Sequence, residues 1–114
     1  MSTVDRGHAR ERQFTKRLQD EGWFACRPRW AGVDIVALKA GERPRFYEVK
    51  ANRGSPYMHF RREDRELLLL AAEQAGADAY LVWWPPGKGQ VAPKVIRSDD
   101  WPAPSDPSAT IHPT

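Results

Sequence analysis

The chain has 114 residues, 40% of them apolar, with one Cys and a formal net charge of +3. That length suits one unit with its own core, and the lone Cys26 excludes an internal disulfide framework. No apolar run approaches the roughly 18 residues of a membrane span and no secretory leader pattern opens the chain, so the expectation is a protein of the cell interior, cytoplasmic, of cellular or viral origin.

Residues 6–21 (RGHARERQFTKRLQDE) are rich in helix formers and are followed by Gly22, a stop signal, so they predict a first helix with Thr3 or Asp5 as cap. Phe14 and Leu18 are its only large apolar residues. Glu11, three positions before Phe14, shares the face that must pack inward, unless it sits at the edge of that stripe and reaches water. Trp23–Arg27 reads as a first strand ending before Pro28, Val33–Leu38 as a second, and Arg45–Ala51 as its hairpin partner across a loop that places Gly41 where positive φ is needed. Residues 52–60 carry turn formers, and residues 61–75 predict a second helix closed by Gly76. Leu67–Leu70 occupy about 300° of that helix, more than one sheet face covers, so loops or a second subunit must cover the remainder. Ala79–Trp84 is a continuously apolar strand, and Val91–Ile96 returns as an edge strand because of Pro93. The composition therefore divides into a single unit over 1–97 and a Pro/Ser-rich tail over 98–114, expected to be disordered.

Three charges interrupt two otherwise apolar strands: Asp34, Glu48 and Lys50. Strand period two puts Phe46, Glu48 and Lys50 on one face, and a hairpin centred on Gly41 sets position 34 opposite position 48. The two carboxylates would then lie about 5 Å apart and repel, a conflict that a divalent cation with hard oxygen ligands removes. The plainer alternative is a turn Asp followed by an ordinary solvated strand face. The basic residues lie mostly in the first part of the chain: residues 1–65 hold 15 Lys and Arg against 9 Asp and Glu, and residues 66–114 hold 3 against 6. That asymmetry suits a polyanion such as DNA.

The order of helix Glu, Asp, then Glu-x-Lys on a hairpin strand resembles the PD-(D/E)xK, or restriction-endonuclease-like, nucleases. More narrowly, ARERQFTKRLQDEGWFACR, GVDIVAL, YEVKANR, FRREDRELL and AYLVWW resemble the archaeal-type Holliday junction resolvases, over about Arg10 to Trp84. The resemblance implies an α/β fold with a central mixed sheet flanked by helices (αβββαβ) and a homodimer. It also implies symmetrical, metal-dependent cleavage of four-way DNA junctions with Mg²⁺, Mn²⁺ being a possible substitute. By position, Asp34 and Glu48 resemble the metal-binding acids, with the Val49 carbonyl and Glu11 completing the set. Lys50 resembles the lysine that stabilises charge or helps activate water. Arg12 and Arg27 match basic residues near the scissile phosphate; Arg53, Arg61 and Arg62 are further candidates for phosphate contact, though each also suits a solvated charge. This chain departs from the family in its shorter loop Arg29-Trp30-Ala31-Gly32 and in Asp64 of the second helix, where Gln is common.

The competing readings are a nuclease of the same superfamily acting on flaps, nicks or duplex, a non-catalytic DNA-binding module of the same fold, and a basic interaction protein. His8, His59 and His112 have no partner at zinc-ligand spacing. Adjacent Trp83 and Trp84 point to opposite faces of a strand, one to the core and one to an interface. Trp30 suits either stacking on DNA or anchoring its loop.

Overall fold

A computed structural model describes residues 3–87 and 91–103. Helix α1 spans Thr3–Asp20. It ends as its composition requires: Gly22 takes φ 94°, the Gly22 N–H donates to the Gln19 carbonyl, and the Trp23 N–H reaches back to that of Leu18. Phe14 and Leu18 are buried, together with Trp23, against the sheet.

Five strands follow: β1 (Phe24–Cys26), β2 (Ile35–Leu38), β3 (Arg45–Ala51), β4 (Asp78–Trp84) and β5 (Lys94–Arg97), side by side in chain order. All neighbouring pairs are antiparallel except β3 and β4, whose parallel crossover is made by helix α2 (Arg62–Ala75). This is the expected mixed sheet between helices. One core joins α1 to Ala25, Ile35, Ala37, Tyr47, Val49, Val82 and Trp84. The other joins Leu68 and Ala72 of α2 to Val36, Phe46, Ala79 and Leu81 on the opposite face. Period two thus assigns Phe46 and Tyr47, neighbours in sequence, to different cores.

The hairpin register is the one expected. Ile35 pairs with Tyr47, Val36 with Phe46 and Ala37 with Arg45, and Gly41 has φ 83°. Strand ends differ from the expectation. β2 begins at Ile35 rather than Val33 because residues 30–33 close a tight reversal, with the Val33 N–H donating to the Trp30 carbonyl at 3.2 Å. β5 begins at Lys94 rather than Val91, directly after Pro93, which has no N–H for a ladder.

The composition break at Ser98 does not end the packed chain. Ser98–Asp100 form a short 3₁₀ turn, and Trp101 then sets its ring perpendicular to Phe60 at 4.9 Å while its indole N–H donates to the Ile96 carbonyl. Arg65 of α2, only 6% exposed, donates to the Pro102 carbonyl at 2.7 Å. Residues 98–103 are therefore a strap over the start of α2, held by the Trp101–Phe60 contact, the Arg65 guanidinium over the Trp101 ring at 5.5 Å, and the two hydrogen bonds. The rest of the expected tail, 104–114, and His112 with it, lies outside the described residues.

Candidate active site

Asp34 occupies the bend between the reversal and β2. Its N–H donates to the Tyr47 carbonyl at 2.9 Å, and its carboxylate accepts the Val49 N–H at 2.7 Å. Because β2 starts only at Ile35, that N–H of β3 meets a side chain in place of a strand carbonyl, as buried backbone donors require. The bond ties Asp34 to the strand that carries Glu48 and Lys50.

Glu48 is 6% exposed, beside Leu81 in the parallel register and near enough to Asp34 to feel its charge. Burial pushes its carboxyl up to about 8, the charge of Asp34 adds to the rise, and the ammonium of Lys50 opposes it. Lys50 Nζ lies 3.2 Å from the Glu48 carboxylate. The expected triad of Asp34, Glu48 and Lys50 is thus assembled in space.

Glu11 reaches the same place from α1. Its carboxyl is raised, first by burial and next by the charge of Asp34, while Arg27 and His8 pull it down. Arg27, just beyond β1, holds it in an ion pair at 3.4 Å. Asp34 is therefore the residue that both glutamates feel.

Glu11, Arg27 and Asp34 border a cleft of about 850 Å³ that is lined also by His8, Arg29, Trp30, Ala31 and Val33, while Glu48 and Lys50 are not part of its lining. Of the five arginines singled out for DNA, only Arg27 lines it. Arg12 is exposed on α1, Arg53 and Arg61 are exposed on the β3–α2 connection, and Arg62 makes a surface pair with Glu66 at 3.4 Å. Sequence reasoning passed over His8 and Arg29 as cleft residues. The spacing of His8, three positions before Glu11, puts both on one helix face and could have found it. Nothing in the sequence marks Arg29, whose φ of 62° turns the chain into the reversal. Trp83, half-buried, donates to the Asn52 carbonyl at 3.1 Å, while Trp84 belongs to the α1 core.

The donor set suits a hard divalent cation. Asp34 and Glu48 offer carboxylate oxygens, and Val49 adjoins them through its bond to Asp34. Among the described residues no three His, Cys, Asp or Glu side chains cluster closely enough to hold an ion alone, so its remaining positions would fall to the backbone, water and a phosphate.

The family model for the archaeal Holliday junction resolvase (Hjc) matches residues 2–103. Among solved structures, that of Archaeoglobus fulgidus Hjc, a Holliday junction resolvase from an archaeal hyperthermophile, is similar with a TM-score of 0.65 and 25% sequence identity, covering 81% of this chain and 72% of that one. No match was found among curated proteins.

Proposed function

The chain belongs to the archaeal Holliday junction resolvase family, and from that membership we propose that it is a structure-selective DNA endonuclease that resolves four-way junctions by paired, symmetrical phosphodiester hydrolysis. The observation that carries this reading is the bend at Asp34. It brings two carboxyls and a lysine together at the mouth of a hairpin, beside a cleft lined with arginine. A pure binding module has no use for carboxylates set among the arginines of its cleft, as Glu11 and Asp34 are here.

Asp34 and Glu48, with the Val49 carbonyl, would hold Mg²⁺, or Mn²⁺ in its place, which would neutralise charge at the phosphate and lower the pKa of water, while Glu11, expected as a further ligand, stands outside that set and interacts with Asp34 through its charge. Lys50, beside Glu48, stabilises the negative charge that grows on the phosphate as water attacks in line, or assists removal of the water's proton. The products are a 5′-phosphate and a 3′-hydroxyl. Arg27 neutralises Glu11 in the free protein and turns to a phosphate when DNA enters the cleft. Arg12, Arg53, Arg61 and Arg62 add contacts along the backbone, which fix affinity and register and read no sequence.

Two symmetrical cuts call for two sites at fixed spacing, hence a homodimer. Phe24 and Leu38 face each other across β1 and β2, on the α2 side of the sheet, where α2 packs mainly on β3 and β4. Both are exposed, as are Leu67, Leu69 and Leu70 of α2, while Leu68 is fully buried. Part of the apolar arc expected of Leu67–Leu70 is thus left for a partner. Among the described residues no helix is long and apolar enough to cross a membrane, and the proposed site of action is the cell interior, where the DNA is.

The test compares cutting of a synthetic four-way junction, a linear duplex, a fork and single-stranded DNA by wild type and Lys50→Ala, with and without Mg²⁺. Paired nicks confined to the junction, reduced about 10²-fold or more in the variant while junction binding persists, are the expected result. Equal cutting of every substrate overturns the junction specificity, and junction binding without metal-dependent cutting by the wild type overturns the enzyme.

A further inference from the structure

Trp30 is 53% exposed, although an indole is among the costliest side chains to leave in water. It is not a loose loop residue. Its ring meets Phe46 of the α2-side core in a T-shaped contact at 5.9 Å, and its carbonyl accepts the Val33 N–H that closes the reversal. The reversal itself is pressed onto α2. A Cβ on Gly32 would lie 2.6 Å from Leu67 Cβ and 3.2 Å from the Leu68 backbone nitrogen, and Gly32 has φ 78°. The indole is therefore held by the core on one side and presented to the cleft on the other. Little conformational entropy remains for a ligand to remove.

The cleft defines the ligand's chemistry. Arg27, Arg29 and His8 line it together with Trp30, and Asp34 closes one side. Arginines attract phosphates, and a flat π-face among them suits the face of a nucleobase. A second protein copy is the poorer occupant, because acidic side chains are depleted in the cores of protein interfaces and this wall carries Glu11 and Asp34.

We propose that Trp30 is a stacking platform for one unpaired nucleobase at a DNA branch point, beside the Asp34–Glu48 site. This rests on the proposed function and deepens it. A continuous duplex keeps its base faces stacked and offers Trp30 none, whereas a branch point exposes them, so the platform discriminates by shape and not by sequence. The base is splayed onto the indole while Arg27 and Arg29 take the flanking phosphates.

The test uses full-length protein in EDTA, which prevents cutting, and a four-way junction with 2-aminopurine at the branch point and a distant dye. Anisotropy of the dye reports binding, and 2-aminopurine emission reports stacking. Wild type should hold the emission low at saturation. Trp30→Leu, which keeps apolar bulk against Phe46, should raise it several-fold and weaken junction binding about tenfold, with duplex binding unchanged. Trp30→Phe keeps an aromatic ring and should fall between the two, which preserves the test should the leucine variant not fold. Equal emission from wild type and both folded variants at saturation overturns the platform. A change of oligomeric state in Trp30→Leu by sedimentation also overturns it, since Trp30 would then be covered by a second copy. Failure of the wild type to prefer the junction over duplex in anisotropy instead overturns the proposed function, a separate outcome.

Discussion

Asp34 satisfies a backbone donor of β3 and at the same time brings negative charge close to two glutamates. The two roles separate by substitution. Asp34→Asn retains an oxygen for the Val49 N–H and removes the charge, whereas Asp34→Ala removes both. The alanine variant should lose about 1–3 kcal/mol in denaturant unfolding, the cost of a buried donor left unmet, and the asparagine variant should lose less. On the proposed mechanism neither cuts DNA. Glu48 gives a sign to the pH dependence. In the metal-free fold burial holds its carboxyl protonated up to about 8, while in the unfolded chain it ionises near the ordinary glutamate value of 4.5. Between those values the folded state binds more protons than the unfolded, so this group's contribution to stability falls as pH rises through the window and levels off above it. Glu48→Gln should flatten that slope, read as denaturant midpoints from pH 5 to 9 in EDTA. Mg²⁺ requires the ionised carboxylate, so its stabilisation of the wild type should be larger at pH 8 than at pH 6 and absent in Glu48→Gln.

The reversal over residues 29–33 is the element on which the site depends, because it swings Trp30 and Asp34 into place between β1 and β2. Its geometry depends on Gly32, where both a left-handed backbone and contact with α2 exclude a side chain. Gly32→Ala should destabilise the fold by about 2 kcal/mol or more, from overpacking and backbone strain together, measured as a shift of denaturant midpoint at unchanged m-value. Gly41 also has positive φ, 83°, but a Cβ there meets nothing within 4 Å, so the same substitution costs only the conformational part. The hairpin around Gly41 was legible because alternation in two adjacent strands and one glycine define its register locally. The reversal was not, since what shapes it is a helix more than 30 positions further along the chain.

In the whole molecule, α2 packs mainly on β3 and β4, shares a core with Val36 of β2, and leaves part of the β1–β2 pair open on its face of the sheet. Phe24 and Leu38 are left open there, and Leu70 on α2 is 55% exposed. On the proposed dimer, Leu70→Glu should shift the protein to monomer in sedimentation while leaving its melting temperature within a few degrees, because the side chain is not part of the core. Junction cutting by that variant should give single nicks in place of paired ones. A retained dimer would place the interface elsewhere.

Elements and register came from short-range patterns: period two in β2 and β3, the Phe14–Leu18 stripe in α1, and glycine stops at Gly22 and Gly76. Those patterns brought Asp34, Glu48 and Lys50 together without any knowledge of the third dimension, since all three belong to one hairpin. Packing between distant segments decided the rest. Glu11 faces Asp34 and is clamped by Arg27 because α1 lies over the sheet. Arg65 is buried beneath a strap while Arg61 and Arg62, identical in type and a few positions away, stay in water. Residue type and spacing carry local conformational preferences, but burial depends on which distant surface arrives to cover a side chain, and only the assembled sheet and helices determine that.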